Sequence, residues 1–198
     1  MTGWSLSTHH PRPISPPNID RDNVPTRLIS TPINIHRFHS VRVTVSAYWN
    51  TLYDQGGLVL FILGEDTTTW MTTGIGFCEG RPFVMSVATS WWSDCSLVPL
   101  GEEKGGKMTI QVERQVQEGK KLEGLWVYIV DEQTGRKMGV REITCWFSHD
   151  ILGQKIPKVM PDNRCLLIGV YAARSSVPAG EGREDEELVV KLFDDSLV

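Results

Sequence analysis

The stretch 46–63, SAYWNTLYDQGGLVLFIL, decides the fold. Its last six residues, Leu58 to Leu63, are an apolar run too short for a membrane helix. They are also rich in β-branched and aromatic side chains, so the run reads as a buried strand. Gly56 and Gly57 open that strand, and glycine inside a strand marks a bulge or the close approach of another backbone or a ligand. Tyr53 and Gln55 would then stand beside an open surface. The blander account of the same residues is a turn ahead of a core strand.

Outward from this run the chain alternates with period two. Val41, Val43 and Val45 alternate with Arg42, Thr44 and Ser46, the pattern of a strand with one buried face. In 70–78, WMTTGIGFC, the side carrying Met71, Thr73, Ile75 and Phe77 is the more apolar and is expected in the core. Trp70, Thr72, Gly74 and Gly76 then share the other face, a tryptophan beside small residues that leave a hollow. In 83–89 the expectation puts Phe83, Met85 and Val87 inward and Ser86 and Ala88 outward. Trp91 and Trp92 are adjacent and cannot both be buried on one side of an extended chain, so one of them faces solvent or ligand. Met108, Ile110 and Val112 form another core face, as do Leu125, Val127 and Ile129, with Trp126 and Tyr128 on the opposite side. Further strands are expected at about 140–147, 166–174 and 187–193. No segment shows helical periodicity, and many short strands separated by turn signals indicate an all-β sandwich of two sheets.

Composition narrows the function classes. A chain of 198 residues, 40% hydrophobic and 22% charged, suits one globular domain. Residues 1–32 carry Pro11, Pro13, Pro16, Pro17, Pro25 and Pro32 and read as an extended N-terminal arm, leaving 33–198 as a single sandwich domain. The net charge of −4 gives no basic footprint for nucleic acid, and no basic amphipathic helix points to a membrane. The polar, proline-rich start lacks the apolar core of a signal peptide. Cys78, Cys95, Cys145 and Cys165 are widely spaced with no CxxC pair, which favours free thiols in a cytoplasmic protein over disulfides or zinc. His9, His10, His36 and His39 lack a nearby third donor and are read as solvated side chains, so no metal or other cofactor is expected.

Six segments carry a resemblance to a known family. They are LYDQGGLVL (52–60), WMTTGIGF (70–77), SVATSWWSDCS (86–96), LWVY (125–128), REITCWF (141–147) and GVYAARS (169–175). In this order they are similar to the LYDQ-GGL, W-KxGIE, SVV-T, SDWS, LWVY, REVTW and GVYAARP elements of the DUF1349 family. The likeness spans about residues 40–195, and is strongest to a fungal branch that includes a yeast cytoplasmic protein implicated in regulating enolase. It implies a concanavalin A-like jelly roll whose concave sheet is the ligand face, and little about activity. Where the family pattern has lysine and glutamate, this chain has Thr72 and Gly76; where it has tryptophan, this chain has Cys95 and Cys145. These exchanges would enlarge the site and make it less polar.

No GxSxG, HExxH, Walker or Rossmann pattern is present, and two suitably spaced glycosidase carboxylates are not evident. The groups left for acid–base work are Tyr53, Asp94, Tyr128 and Arg141. Asp94 competes with a turn-capping role, and a buried Arg141 would need an acceptor such as Asp54 or a ligand oxygen. The ligand-binding candidates are Gln55, Trp70, Thr72, Gly76, Trp91, Trp126 and Cys145. Tyr53, Gln55, Trp70, Thr72, Trp126, Tyr128 and Arg141 are expected to line one cavity on the concave sheet for an apolar or aromatic metabolite, where a cofactor-independent enzyme of fungal secondary metabolism could promote isomerisation, dehydration or cyclisation by shape and hydrogen bonding. The rival expectation is a non-catalytic module that binds carbohydrate or regulates a metabolic enzyme. Whether the chain forms a homodimer is left open.

Overall fold

Two antiparallel sheets lie face to face in the computed structural model, which describes residues 2–8, 26–63, 68–89, 93–101, 106–144, 146–148, 164–175 and 187–197. One sheet has six strands, in the order β1 (Thr2–Thr8), β13 (Leu188–Leu197), β4 (Ser40–Ser46), β9 (Lys107–Gln117), β10 (Lys120–Val130) and β11 (Lys137–Ile143). The other has seven. Its path is β2 (Thr26–Leu28), β12 (Cys165–Arg174), β5 (Asp54–Leu63), β6 (Thr68–Cys78), β7 (Arg81–Thr89) and β8 (Ser93–Pro99), with β3 (Ile33–Asn34) also paired to β12. Within the proline-rich first 32 residues, β1 joins one sheet and β2 the other. Among the described residues there is no helix long and apolar enough to cross a membrane.

β5 is central, between β12 and β6, and it is buried on both faces: Leu58 and Leu60 at 0% exposure and Val59 at 4%. That is why its sequence is a continuous apolar run rather than an alternation. The core between the sheets takes Val41, Val43 and Val45 from β4, Ile110 and Val112 from β9, and Leu125 and Val127 from β10. Facing them are Leu58 and Leu60 from β5, Met71 and Ile75 from β6, and Leu166, Ile168 and Val170 from β12. Phe77 and Ile129 are partly buried and pack against this core.

The faces of β7 are the reverse of the sequence expectation. Val84, Ser86 and Ala88 point into the core, while Phe83, Met85 and Val87 lie on the outer face. The register explains the inversion. Met71 pairs with Ala88, Thr73 with Ser86 and Ile75 with Val84, so bulky core residues of β6 sit beside smaller ones of β7, which fills the layer without strain. Thr73 Oγ1 and Ser86 Oγ satisfy each other at 2.8 Å inside the core. Alternation separates two faces but does not say which is buried when both are apolar.

A second buried polar element sits where β5 begins. Arg174 grips Asp54 through Nε at 2.7 Å and a second guanidinium nitrogen at 2.8 Å, and the carboxylate also accepts the Thr51 amide at 3.1 Å. Asp54 is therefore taken by Arg174, not by Arg141 as the sequence suggested.

Candidate functional site

The outer face of the seven-stranded sheet is where the largest share of the sequence-derived site residues meet. Strand registers place Gln55, Gly76 and Phe83 in one row across β5, β6 and β7. Tyr171, Gly57, Gly74, Met85 and Leu97 form the next row, from β12 to β8. Val59, Thr72, Val87 and Cys95 form a third, followed by Phe61 and Trp70. Gln55, Trp70 and Thr72 are half-buried and Gly76 is buried. The rim is apolar on both sides, with Leu28 of β2 at 51% exposure and Leu97 of β8 at 50%.

The middle of this face is a glycine floor. A Cβ on Gly57 would stand 2.1 Å from the Thr73 carbonyl oxygen, and one on Gly74 would stand 2.0 Å from that of Gly56. Neither position can carry a side chain, so nothing rises from the centre of the sheet. Tyr171 fills part of this space. Its Cα neighbour on β5 is Gly57, and its hydroxyl lies near Thr72 on β6, so the ring crosses β5 where no side chain blocks it. Burial pushes the phenol's pKa well up, the Thr72 hydroxyl opposes this in part, and the Cys95 thiol adds to it. With the glycine floor low at its centre and Phe61, Trp70, Met85 and Val87 standing around it, this face forms a trough, and Tyr171 lies in it.

The Tyr171 hydroxyl is buried, with the residue 3% exposed, and among the described residues no atom completes a hydrogen bond to it. Thr72 comes near enough to influence the phenol but is not placed for a full bond. The sequence reading missed Tyr171. Its alternation against Ile168, Val170 and Ala172 was a signal for it, muted because β12 is apolar on both faces.

Other expected site residues are elsewhere. Trp126 and Tyr128 lie on the outer face of the six-stranded sheet, since Leu125 and Val127 between and beside them point into the core. The whole sandwich separates them from Trp70 and Thr72, so the expected single cavity does not form. On their own face the two rings stack, with centroids 5.9 Å apart and planes at 24°, and lean over Gly139 of β11. Beside them run Arg42, Gln111 and Glu113, linked by Arg42 Nε to Gln111 at 2.9 Å and Gln111 Nε2 to Glu113 at 2.8 Å. Burial, with the Glu113 and Glu142 carboxylates, raises the pKa of the Tyr128 phenol.

Arg141 and Asp94 do come together, but at the seam between the sheets. A register shift in the β10–β11 ladder leaves Arg141 opposite Val127, so its side chain turns inward from the edge strand. It donates to the Ser86 carbonyl at 2.7 Å and pairs with the Asp94 carboxylate on β8. Asp94 is thus a strand residue that fastens one sheet edge to the other, not a turn cap. Tyr53 sits in the turn before β5, 56% exposed with φ of 65°, its amide bonded to the Phe77 carbonyl at 2.8 Å. Trp91 and Cys145 lie outside the described residues.

Two further features carry no site. A cleft of about 330 Å³ is lined by Lys107, Thr109, Ile129 and Glu132, but the Glu132 carboxylate is already held by Thr109 at 2.6 Å and Lys107 at 2.9 Å. Those bonds, Thr109 first, lower its pKa. Among the described residues no three His, Cys, Asp or Glu side chains cluster as metal ligands, and Cys78 and Cys95 are free thiols.

Comparison with known proteins places this geometry. Residues 17–123 match the family described as "Protein of unknown function (DUF1349)". An uncharacterized protein of Emericella nidulans, AN7484, is 34% identical over 167 residues, which cover 84% of this chain and 73% of that one. The chain belongs to the DUF1349 family. Among solved structures, a functionally unknown protein of Saccharomyces cerevisiae aligns with a TM-score of 0.55 at 18% identity, over 84% of this chain and 72% of that one. The GH43 protein BlXynB (K247S mutant) of Bacillus licheniformis aligns at 0.51 and 13% identity, over 79% of this chain and 26% of that one. These likenesses concern the fold alone. This DUF1349 chain is a concanavalin A-like jelly-roll sandwich.

Proposed function

We propose that this DUF1349 protein is a cofactor-independent small-molecule protein that holds a flat, uncharged apolar metabolite in the concave trough. One observation carries the reading. The trough presents Trp70, Phe61, Val59, Met85 and Val87 around a glycine floor, and its described residues include no charged side chain except Arg81 at one end, stacked 5.0 Å over Phe83. Small-molecule sites are characteristically concave and apolar with a few polar groups to fix orientation. Here those groups are Gln55, Thr72 and Tyr171. Of the four residues first considered for acid–base roles, Tyr128 lies on the other sheet, Arg141 and Asp94 hold each other at the seam and Tyr53 sits in the exposed turn before β5, so any turnover rests on holding one folded conformer of the substrate, as isomerisation, dehydration or cyclisation allows. The free thiols support a reducing, cytoplasmic setting.

The test is intrinsic tryptophan fluorescence titrated with 2-acetylnaphthalene and, separately, with cellobiose. The aromatic probe should quench emission, cellobiose should not, and Trp70→Phe should remove most of the response. Thr72→Lys, which sets a charge in the trough, should weaken probe binding at least tenfold, because an ammonium loses hydration when an apolar ligand covers it. Unchanged binding by Thr72→Lys, or equal binding of cellobiose, sinks the reading.

A second reading rests on the stacked Trp126–Tyr128 pair and the polar ladder beside it, which suit a carbohydrate-binding or enzyme-regulating module. It would be supported by oligosaccharide binding that Trp126→Ala abolishes and Trp70→Phe spares.

A further inference from the structure

We infer that Tyr171 is the specificity-determining donor of the trough, its hydroxyl recognising a ligand that is uncharged and brings one carbonyl or ether oxygen. The inference deepens the trough reading and rests on it. A buried hydroxyl is expected to be paired, and each exception calls for an explanation. Tyr171 is such an exception: the residue is 3% exposed, and among the described residues its oxygen has no completed hydrogen bond.

Its position argues against a mere packing role. The ring is carried from β12 across β5 over Gly57, where a Cβ would meet the Thr73 carbonyl at 2.1 Å, so the backbone keeps this path clear. It delivers the hydroxyl to the neighbourhood of Thr72, whose own hydroxyl can donate or accept. Two hydroxyls converge without closing on each other; the Tyr171 oxygen has no exposed surface, so a ligand oxygen completes the pair by entering as the ring turns outward from the floor. A phenylalanine would fill the same volume without adding an unpaired polar group to an apolar trough.

The ligand class follows from what surrounds the pair. No described cation faces the floor, since Arg81 is at the end of the trough against Phe83. A carboxylate would lose its hydration there without gaining a counter-charge, which is strongly unfavourable. A neutral carbonyl or ether oxygen needs only the hydrogen bond that Tyr171 offers.

The experiment measures binding of three probes of similar shape to the full chain and to Tyr171→Phe by equilibrium dialysis: 2-acetylnaphthalene, 2-ethylnaphthalene and 2-naphthoate. The wild-type protein should bind the ketone about fivefold tighter than the hydrocarbon, the worth of one buried neutral hydrogen bond, and at least tenfold tighter than the carboxylate. Tyr171→Phe should erase the ketone's advantage while leaving 2-ethylnaphthalene unchanged. Both apolar probes binding with the ketone preference intact in Tyr171→Phe would overturn the Tyr171 inference and leave the trough reading standing; failure of every probe would overturn both. Equal binding of 2-naphthoate would overturn the uncharged class. A melting temperature lower than wild type for Tyr171→Phe, or failure to fold, would show the hydroxyl to be engaged inside the protein and would equally overturn the inference.

Discussion

The Tyr171 phenol sets an alkaline limit on stability. Burial raises its pKa in the folded protein above that of a free tyrosine. Above a pH of about 10 the unfolded chain therefore releases this proton while the folded chain keeps it. Since the unfolded state then binds fewer protons, stability falls as pH rises. Urea melts between pH 8 and 11 should show a downward slope at the alkaline end that is shallower in Tyr171→Phe; parallel slopes would refute the assignment. The opposite kind of residue effect is expected at Asp54. Its carboxylate and Arg174 are both buried, 0% and 1% exposed in their side chains, and bidentate. Asp54→Asn leaves a guanidinium without its counter-charge and should cost about 3–5 kcal/mol in chemical unfolding. A loss below ~1 kcal/mol would mean that Asn50, which also accepts from Arg174 at 3.0 Å, takes over.

The pairing of β5 with β6 offers a sharper contrast between glycines. At Gly57 and Gly74 a methyl group would collide with backbone atoms of the facing strand, which cannot rotate away. Gly57→Ala and Gly74→Ala should each destabilise by about 3 kcal/mol or more, or fail to fold. At Gly76 the nearest atom is Met85 Sδ at 3.2 Å, the end of a flexible side chain, so Gly76→Ala should stay within ~1 kcal/mol of wild type while narrowing the trough. Thermal melts of the three variants decide this, and a similar loss in all three would count against the glycine floor. These elements also show what could be read from the sequence. The period of β6 fixed the common face of Trp70, Thr72 and Gly76, and the uninterrupted run of β5 signalled a central strand. The orientation of β7 could not be read, because Phe83, Met85 and Val87 are as apolar as a core face and only the register with β6 sends them outward. Trp126 and Tyr128 were correctly placed opposite Val127, yet alternation does not say to which sheet a strand belongs. Arg141 depended on a ladder irregularity in β10–β11 that no local pattern announces.

At the scale of the molecule, far-ultraviolet circular dichroism should show β structure with little helix; a helical spectrum would contradict the two-sheet fold. Alkylation under denaturing, non-reducing conditions should label all four cysteines, and fewer labels would reveal a disulfide. The order of strands bears on how the chain reaches its native state. β5 lies next to β12, with Leu58 opposite Val170, so the most apolar strand gains its second neighbour only after most of the chain has been made. The ladder from β5 through β8 runs between strands adjacent in sequence and can assemble early. Until β12 arrives, one side of Leu58–Leu63 is an unpaired, hydrophobic edge, the kind of template on which other chains add. Such distant pairing places refolding in the slow range of milliseconds to seconds. During synthesis the ribosome would release this edge before its cover, so the nascent chain would depend on holding chaperones over that interval, and a chain stopped short of Cys165 should accumulate as aggregate rather than as a smaller folded protein.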